Sequence, residues 1–208
     1  SINYLDLVSL GTVCDVVPLV GLNRAIVKQG LKILKSRKNL GLKTLLDICK
    51  IDTNPSIYHL GYVLGPRINA GGRVGKCSHG ANLLLNSDPR EVFKLATELD
   101  GYNKERQMLE KDLTKNILIE SKTKLKDPVL ILQGENWHEG VIGIVASRLK
   151  DKFNKPTIII SLNGNIGKAS ARSIVGFDIG SAIIAAAQEK ILLQGGGHKM
   201  AGGISINI

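Results

Sequence analysis

The chain has 208 residues, 43% of them hydrophobic and 22% charged, with a formal net charge of +10. This composition excludes a disordered polypeptide, and the length suits one large or two small domains. No apolar run approaches the ~20 residues that span a bilayer and no signal peptide opens the chain, so no membrane association and a cytoplasmic location are expected.

Cys14, Cys49 and Cys77 are far apart and form no CxxC pair, which suggests neither a disulfide framework nor a zinc site. The positive charge favours a polyanionic partner. With only eight aromatic residues, a surface that holds nucleic acid mainly by base stacking is not expected.

Residues 4–10 read as the end of a buried helix or strand leading into Gly11-Thr12-Val13-Cys14-Asp15-Val16-Val17-Pro18-Leu19. Asp15 is a lone carboxylate in apolar company, and burial of an unpaired charge costs several kcal/mol. A metal ion would satisfy it; so would a helix N-cap or a buried backbone hydrogen bond. Helices are expected from Asn23 to about Lys35, from about Gly41 to Cys49, and after Asn54-Pro55 through Leu64.

Pro66 and the glycines after it predict an irregular loop over 65–75 that presents Arg67, Asn69 and Arg73 together. Guanidinium forks match phosphate oxygens, and no acid occurs between Asp52 and Asp88 to compete for them. A short helix begins near Ser78. Asp88-Pro89-Arg90-Glu91 is a helix start, and apolar positions at steps of three, four or seven extend that helix to about Ser121. At 1.5 Å per residue it would be ~50 Å long, enough to link two domains.

After residues 122–127 the pattern changes. A strand at 128–132, a helix at 140–150, strands at 156–161 and 166–173, a helix at 179–193 and a strand at 203–208 give a β-α-β-β-α-β order. It implies a small sheet with both helices on one face.

Polar groups gather in this second half. His138 precedes a helix N-terminus and either caps it or donates to a phosphate; Arg148, two turns further on, serves either the surface or a ligand. Lys168, Ser170 and Arg172 alternate onto one strand face opposite Ala169 and Ala171, with Ser173 following. The run Gly195-Gly196-Gly197-His198-Lys199-Met200-Ala201-Gly202-Gly203 is either a flexible turn or a phosphate cradle of backbone N–H groups beside His198 and Lys199. Strand, loop and glycine run supply many donors and almost no carboxylates, which favours a phosphate groove.

The stretch 11–19, Pro66-Arg67-Ile68-Asn69-Ala70-Gly71-Gly72-Arg73, the stretch 138–148, Ala171-Arg172-Ser173 and Gly195-Gly196-Gly197-His198 together resemble the RecJ single-strand-specific DNA exonucleases of the DHH phosphoesterase superfamily. The resemblance covers essentially the whole chain, with the motifs in family order. It implies an α/β architecture. Residues 1–86 would be the C-terminal part of a DHH domain, 87–123 a long connector helix, and 124–208 a DHH-associated, substrate-binding domain.

The resemblance further implies digestion of single-stranded DNA from the 5′ end with two Mn2+ or Mg2+ ions, in repair and recombination. It makes Asp15 a metal ligand and catalytic residue, and His198 a catalytic and substrate-binding one. Arg67, Asn69, Arg73, Arg148 and Arg172 match motif positions that look toward the DNA. His138, Lys168, Ser170, Ser173, Gly196, Gly197 and Lys199 join the expected substrate surface from their neighbourhood. The sequence contains no Asp-His-His, and one aspartate cannot hold two metals. The expectation is therefore an excerpt, inactive alone, whose partners are single-stranded DNA and the missing N-terminal half of the DHH domain. The alternatives are a non-catalytic nucleic-acid-binding module from a split gene, and a small DHH phosphodiesterase acting on short oligonucleotides or cyclic dinucleotides.

Overall fold

In the computed structural model, which describes residues 4–208, the chain forms two compact units, one ending at Glu105 and one running from Arg106 to Ile208. The division falls inside a single helix.

The first unit is helical: α1 (Leu5–Cys14), α2 (Gly21–Lys35), α3 (Leu40–Ile48), a π-helix (His59–Leu64), α4 (Gly65–Val74), α5 (Ser78–Leu85) and the start of α6 (Pro89–Ser121). Leu34, Leu42, Leu45, Leu46, Leu60, Leu64 and Leu83 form its core. On α6, Val92, Ala96 and Leu99 recur at steps of four and three and enter the same core, as a one-sided apolar stripe must. Caps follow local chemistry: Asn39 accepts from the Leu42 N–H at 2.9 Å, and Asp88 from the Arg90 N–H at 3.0 Å.

The expected loop over 65–75 is instead helix. The π-helix runs directly into α4, and the Gly65 N–H reaches back five residues to the Leu60 carbonyl. Pro66 has no N–H to give, and in an α-turn its ring would strike the carbonyl four residues back; the wider π-turn just before it removes the clash. Gly65 is required for a second reason, since a Cβ there would stand 2.3 Å from Cys14 Sγ on α1.

The second unit takes the end of α6, a 3-10 turn (Lys122–Lys124), β1 (Leu130–Glu135), α7 (Glu139–Phe153), β2 (Thr157–Asn163), β3 (Ile166–Arg172), α8 (Ile179–Gln188), β4 (Gln194–His198) and β5 (Ala201–Asn207). Strand order is β1-β2-β3-β5-β4; β1 and β2 are parallel across the α7 crossover and the other pairs antiparallel. Two expectations are corrected. The glycine run is a strand, β4, and α8 ends early at Gln188 because Lys190 turns left-handed at φ 61°.

The helices also pack on opposite faces rather than on one. Gly143 and Ser147 of α7 lie against Ser170 and Arg172, whereas Ile179 and Ile183 of α8 pack on Ala171. Because β3 alternates, these two contacts define its two sides.

Candidate nucleic-acid interface

On the α7 side of the sheet, register places residues of β3, β5 and β4 in three rows: Arg172–Ala201–His198, Ser170–Gly203–Gly196 and Lys168–Ser205–Gln194. Strands lie ~4.8 Å apart, so Arg172 and His198 are about 10 Å from each other across the row. Helix α7 covers β2 and the near side of β3. The rest of this face is a groove of about 510 Å³ lined by Lys168, Ser170, Gln194, Gly196, Gly203 and Ser205, together with one carboxylate, Glu139 of α7.

The middle row has glycine at two of its three positions, and a Cβ at either Gly196 or Gly203 would meet no atom within 4 Å. Packing does not require glycine there. The adjacent Gly197 belongs to the other side of the strand, where a Cβ would lie 2.3 Å from the Ala201 carbonyl oxygen. The two neighbouring glycines thus have different reasons to be glycine: Gly197 for pairing, Gly196 for an open floor.

Three of the polar side chains on this face are held in place. Arg172 donates through Nε to Ser147 Oγ at 3.2 Å and through Nη1 to Ser170 Oγ at 3.0 Å. Lys168 Nζ donates to Ser205 Oγ at 2.8 Å. His198 is exposed, and its Nδ1 accepts from the Met200 N–H at 3.3 Å, which orients the ring at the end of β4. Beneath it, the start of α8 comes so close that a Cβ at Gly180 would be 2.7 Å from the His198 backbone. Lys199 is exposed in the β4–β5 turn. The N–H groups of Ser181 and its neighbours, with Lys199 nearby, hold the Asp178 carboxyl below its ordinary range.

Other expected groups are placed elsewhere. Ser173 is buried and its hydroxyl donates to the Phe177 carbonyl at 2.7 Å, so it shapes a turn and does not reach the groove. His138 caps α7, its Nδ1 accepting from the Gly140 N–H at 3.2 Å. Arg148 is ion-paired with Glu110 of α6, a buried carboxylate that also accepts from Arg106 at 2.6 Å.

In the first unit Arg67 separates from Asn69 and Arg73. Its Nε donates to Asp100 Oδ1 at 2.9 Å and its Nη1 to the Val63 carbonyl at 2.8 Å, so the guanidinium finds a distant carboxylate despite the lack of local acids. Burial by itself would raise the Asp100 carboxyl; hydrogen bonds from Lys104 and Arg67 and their charges outweigh it and hold the group low. Asn69 and Arg73, four residues apart on α4, are exposed on one helix face.

Asp15 is not buried. It is the exposed C-cap of α1, its N–H bonded to the Gly11 carbonyl at 2.9 Å, which removes the burial argument for a metal. Among the described residues no three His, Cys, Asp or Glu side chains come together to hold an ion. No helix among them is long and apolar enough to cross a membrane.

Sequence reasoning overlooked Gly143, Ser147 and Ser205. A Cβ at Gly143 would lie 2.9 Å from both Arg172 Nη2 and Ser170 Oγ. A glycine inside a helix costs about 1 kcal/mol relative to alanine, so its presence in α7 was itself a signal of a close approach.

Residues 126–207, which contain this sheet with α7 and α8, match the model of the DHHA1 domain. The chain as a whole is similar to RecJ exonucleases. It is 38% identical over 212 aligned residues to the single-stranded-DNA-specific exonuclease RecJ of Dickeya dadantii, covering 97% of this chain and 37% of that protein. It is 37% identical to RecJ of Bacillus subtilis, covering 97% of this chain and 26% of that one. Crystal structures of Thermus thermophilus RecJ match with TM-score 0.88 for the Mn2+ complex, at 33% identity, and 0.85 for the Mg2+ complex, at 31%. The chain covers 30% and 32% of those structures, which cover 99% of it. It therefore spans well under half the length of these relatives.

Proposed function

We propose that this chain serves a cytoplasmic exonuclease that hydrolyses single-stranded DNA from the 5′ end, and that its own groups bind and orient the strand. Residues 1–86 are assigned to a DHH domain, 87–123 to the connector and 124–208 to the substrate-binding domain. The observation that carries the reading is the open sheet face: Arg172, Ser170, Lys168 and His198 surround a floor where Gly196 and Gly203 have no packing reason to be glycine. A floor without side chains lets a backbone lie flat against the strands. Arg172 offers a guanidinium charge set in place by Ser147 and Ser170, Lys168 a point charge, and Ser170 and His198 further donors. None of these reads a base edge, so binding is sequence-independent.

By resemblance to the Mn2+- and Mg2+-bound relatives, Asp15 is proposed as one ligand of a divalent-metal pair that would activate water and neutralise charge on the reacting phosphate. Asp15 alone does not fit such a centre: its two oxygens fall far short of the roughly six ligands these ions take. The chain's contribution is positioning, and the remaining ligands are expected from the missing N-terminal half. The lone carboxylate also supports a second reading, a binding module without catalysis.

Titration with single-stranded and duplex DNA tests the proposal. Expected are a preference for the single strand, a fall in log affinity with log salt of about 0.7 per phosphate contacted, and no mononucleotide release with Mn2+. Release of nucleotides by the purified chain would overturn the assignment to positioning alone. Equal affinity for duplex would overturn the substrate class. Hydrolysis restored by adding the upstream half would dismiss the binding-only reading.

A further inference from the structure

The chain is poor in aromatic residues, yet two of its four tyrosines stack on each other at the surface. Tyr58 and Tyr62 have ring centroids 5.3 Å apart and planes inclined by 24°, and they are 62% and 73% exposed. Neither ring is recruited to the core, whose contribution from this segment is Leu60 and Leu64. Tyr58 immediately precedes the π-helix and Tyr62 lies within it, a distortion that recurs at functional sites.

Asn69 and Arg73 of α4 are also exposed, four residues apart. Between Asp52 and Asp88 the chain carries Arg67, Arg73 and Lys76 and no acidic residue. An exposed aromatic stack, followed on the next helix by an exposed amide and guanidinium, has the chemistry that meets a single strand: π-faces for bases, donors for phosphates.

We propose that Tyr58 and Tyr62 form a base-stacking platform for single-stranded nucleic acid, with Asn69 and Arg73 of the following helix as polar donors. The proposal rests on the single-strand reading above and adds a subsite that holds bases, where the sheet groove holds backbone. Stacking tolerates any base, so the platform distinguishes unpaired from paired strands without reading sequence.

Anisotropy of a labelled oligo-dT strand and of an abasic strand of equal length, titrated with the full chain, tests it. The chain is expected to prefer oligo-dT by about tenfold, the scale of one stacked base. The double substitution Tyr58→Ala with Tyr62→Ala should bring the two strands to near equality, and Tyr58→Phe with Tyr62→Phe should retain the preference, because the rings and not the hydroxyls act. An unchanged preference in the alanine pair, or equal binding of both strands by the unaltered chain, overturns the platform and leaves the groove reading intact. Failure of the unaltered chain to bind either strand overturns both.

Discussion

Gly143 of α7 and Arg172 of β3 approach so closely that a Cβ on the glycine would stand 2.9 Å from the guanidinium. The helix passes over the arginine, and Ser147, one turn on, accepts from its Nε. Gly143→Ala should therefore displace the guanidinium while losing little stability, because alanine is the better helix former by about 1 kcal/mol. Single-strand affinity is expected to fall about tenfold with a thermal midpoint near that of the unaltered chain; calorimetry and anisotropy on one preparation check the pair of outcomes.

Gly196 and Gly197 are neighbours with opposite expectations. Gly196→Ala places a methyl in open space and should leave stability unchanged while weakening DNA binding. Gly197→Ala drives a Cβ to 2.3 Å from the Ala201 carbonyl oxygen and should cost about 1–3 kcal/mol, as overpacking does. Denaturant melts that rank the two substitutions the other way would contradict the register assigned to β4.

Arg148 provides a contrast between structural and substrate roles. Its partner Glu110 is buried between it and Arg106, so Glu110→Ala leaves two cations facing each other and should destabilise the second unit by about 3–5 kcal/mol. Arg148→Ala should lower stability by less, since the arginine itself is largely exposed. A loss of DNA affinity at unchanged stability would instead restore Arg148 to the substrate surface.

The Arg67–Asp100 pair gives the first unit an acid limit. The folded carboxyl is held below its ordinary value by Lys104 and Arg67 against the opposing effect of burial, so its contribution is present above the unfolded value of about 3.9 and is lost as pH falls through the folded one. Stability should drop below about pH 4, and Asp100→Asn should be less stable at neutral pH with a flatter acid limb in urea melts.

Much of this was legible beforehand where a local rule had no competitor. The start of α6 at Pro89 follows from the Asp88 cap, and the alternation of Lys168, Ser170 and Arg172 from strand period alone. The α4 segment was misread because Pro66 signals a break unless a π-turn precedes it, and that depends on packing against α1. Arg67 was misgrouped because its partner lies 33 residues away. β4 was missed because glycine is a weak strand signal; pairing with β5 and the close approach of α8 at Gly180 and Ile183 hold it extended.

That edge strand also sets where the second unit yields first. Three successive glycines lose the most backbone freedom on ordering, and β4 pairs along one side only, with β5. Its amides should exchange with solvent sooner than those of β2 and β3, through local opening that leaves the inner strands paired. A strand seated on the groove would slow that exchange. The sheet's least protected ribbon thereby becomes its occupancy gauge, readable by deuterium uptake at residues 194–198.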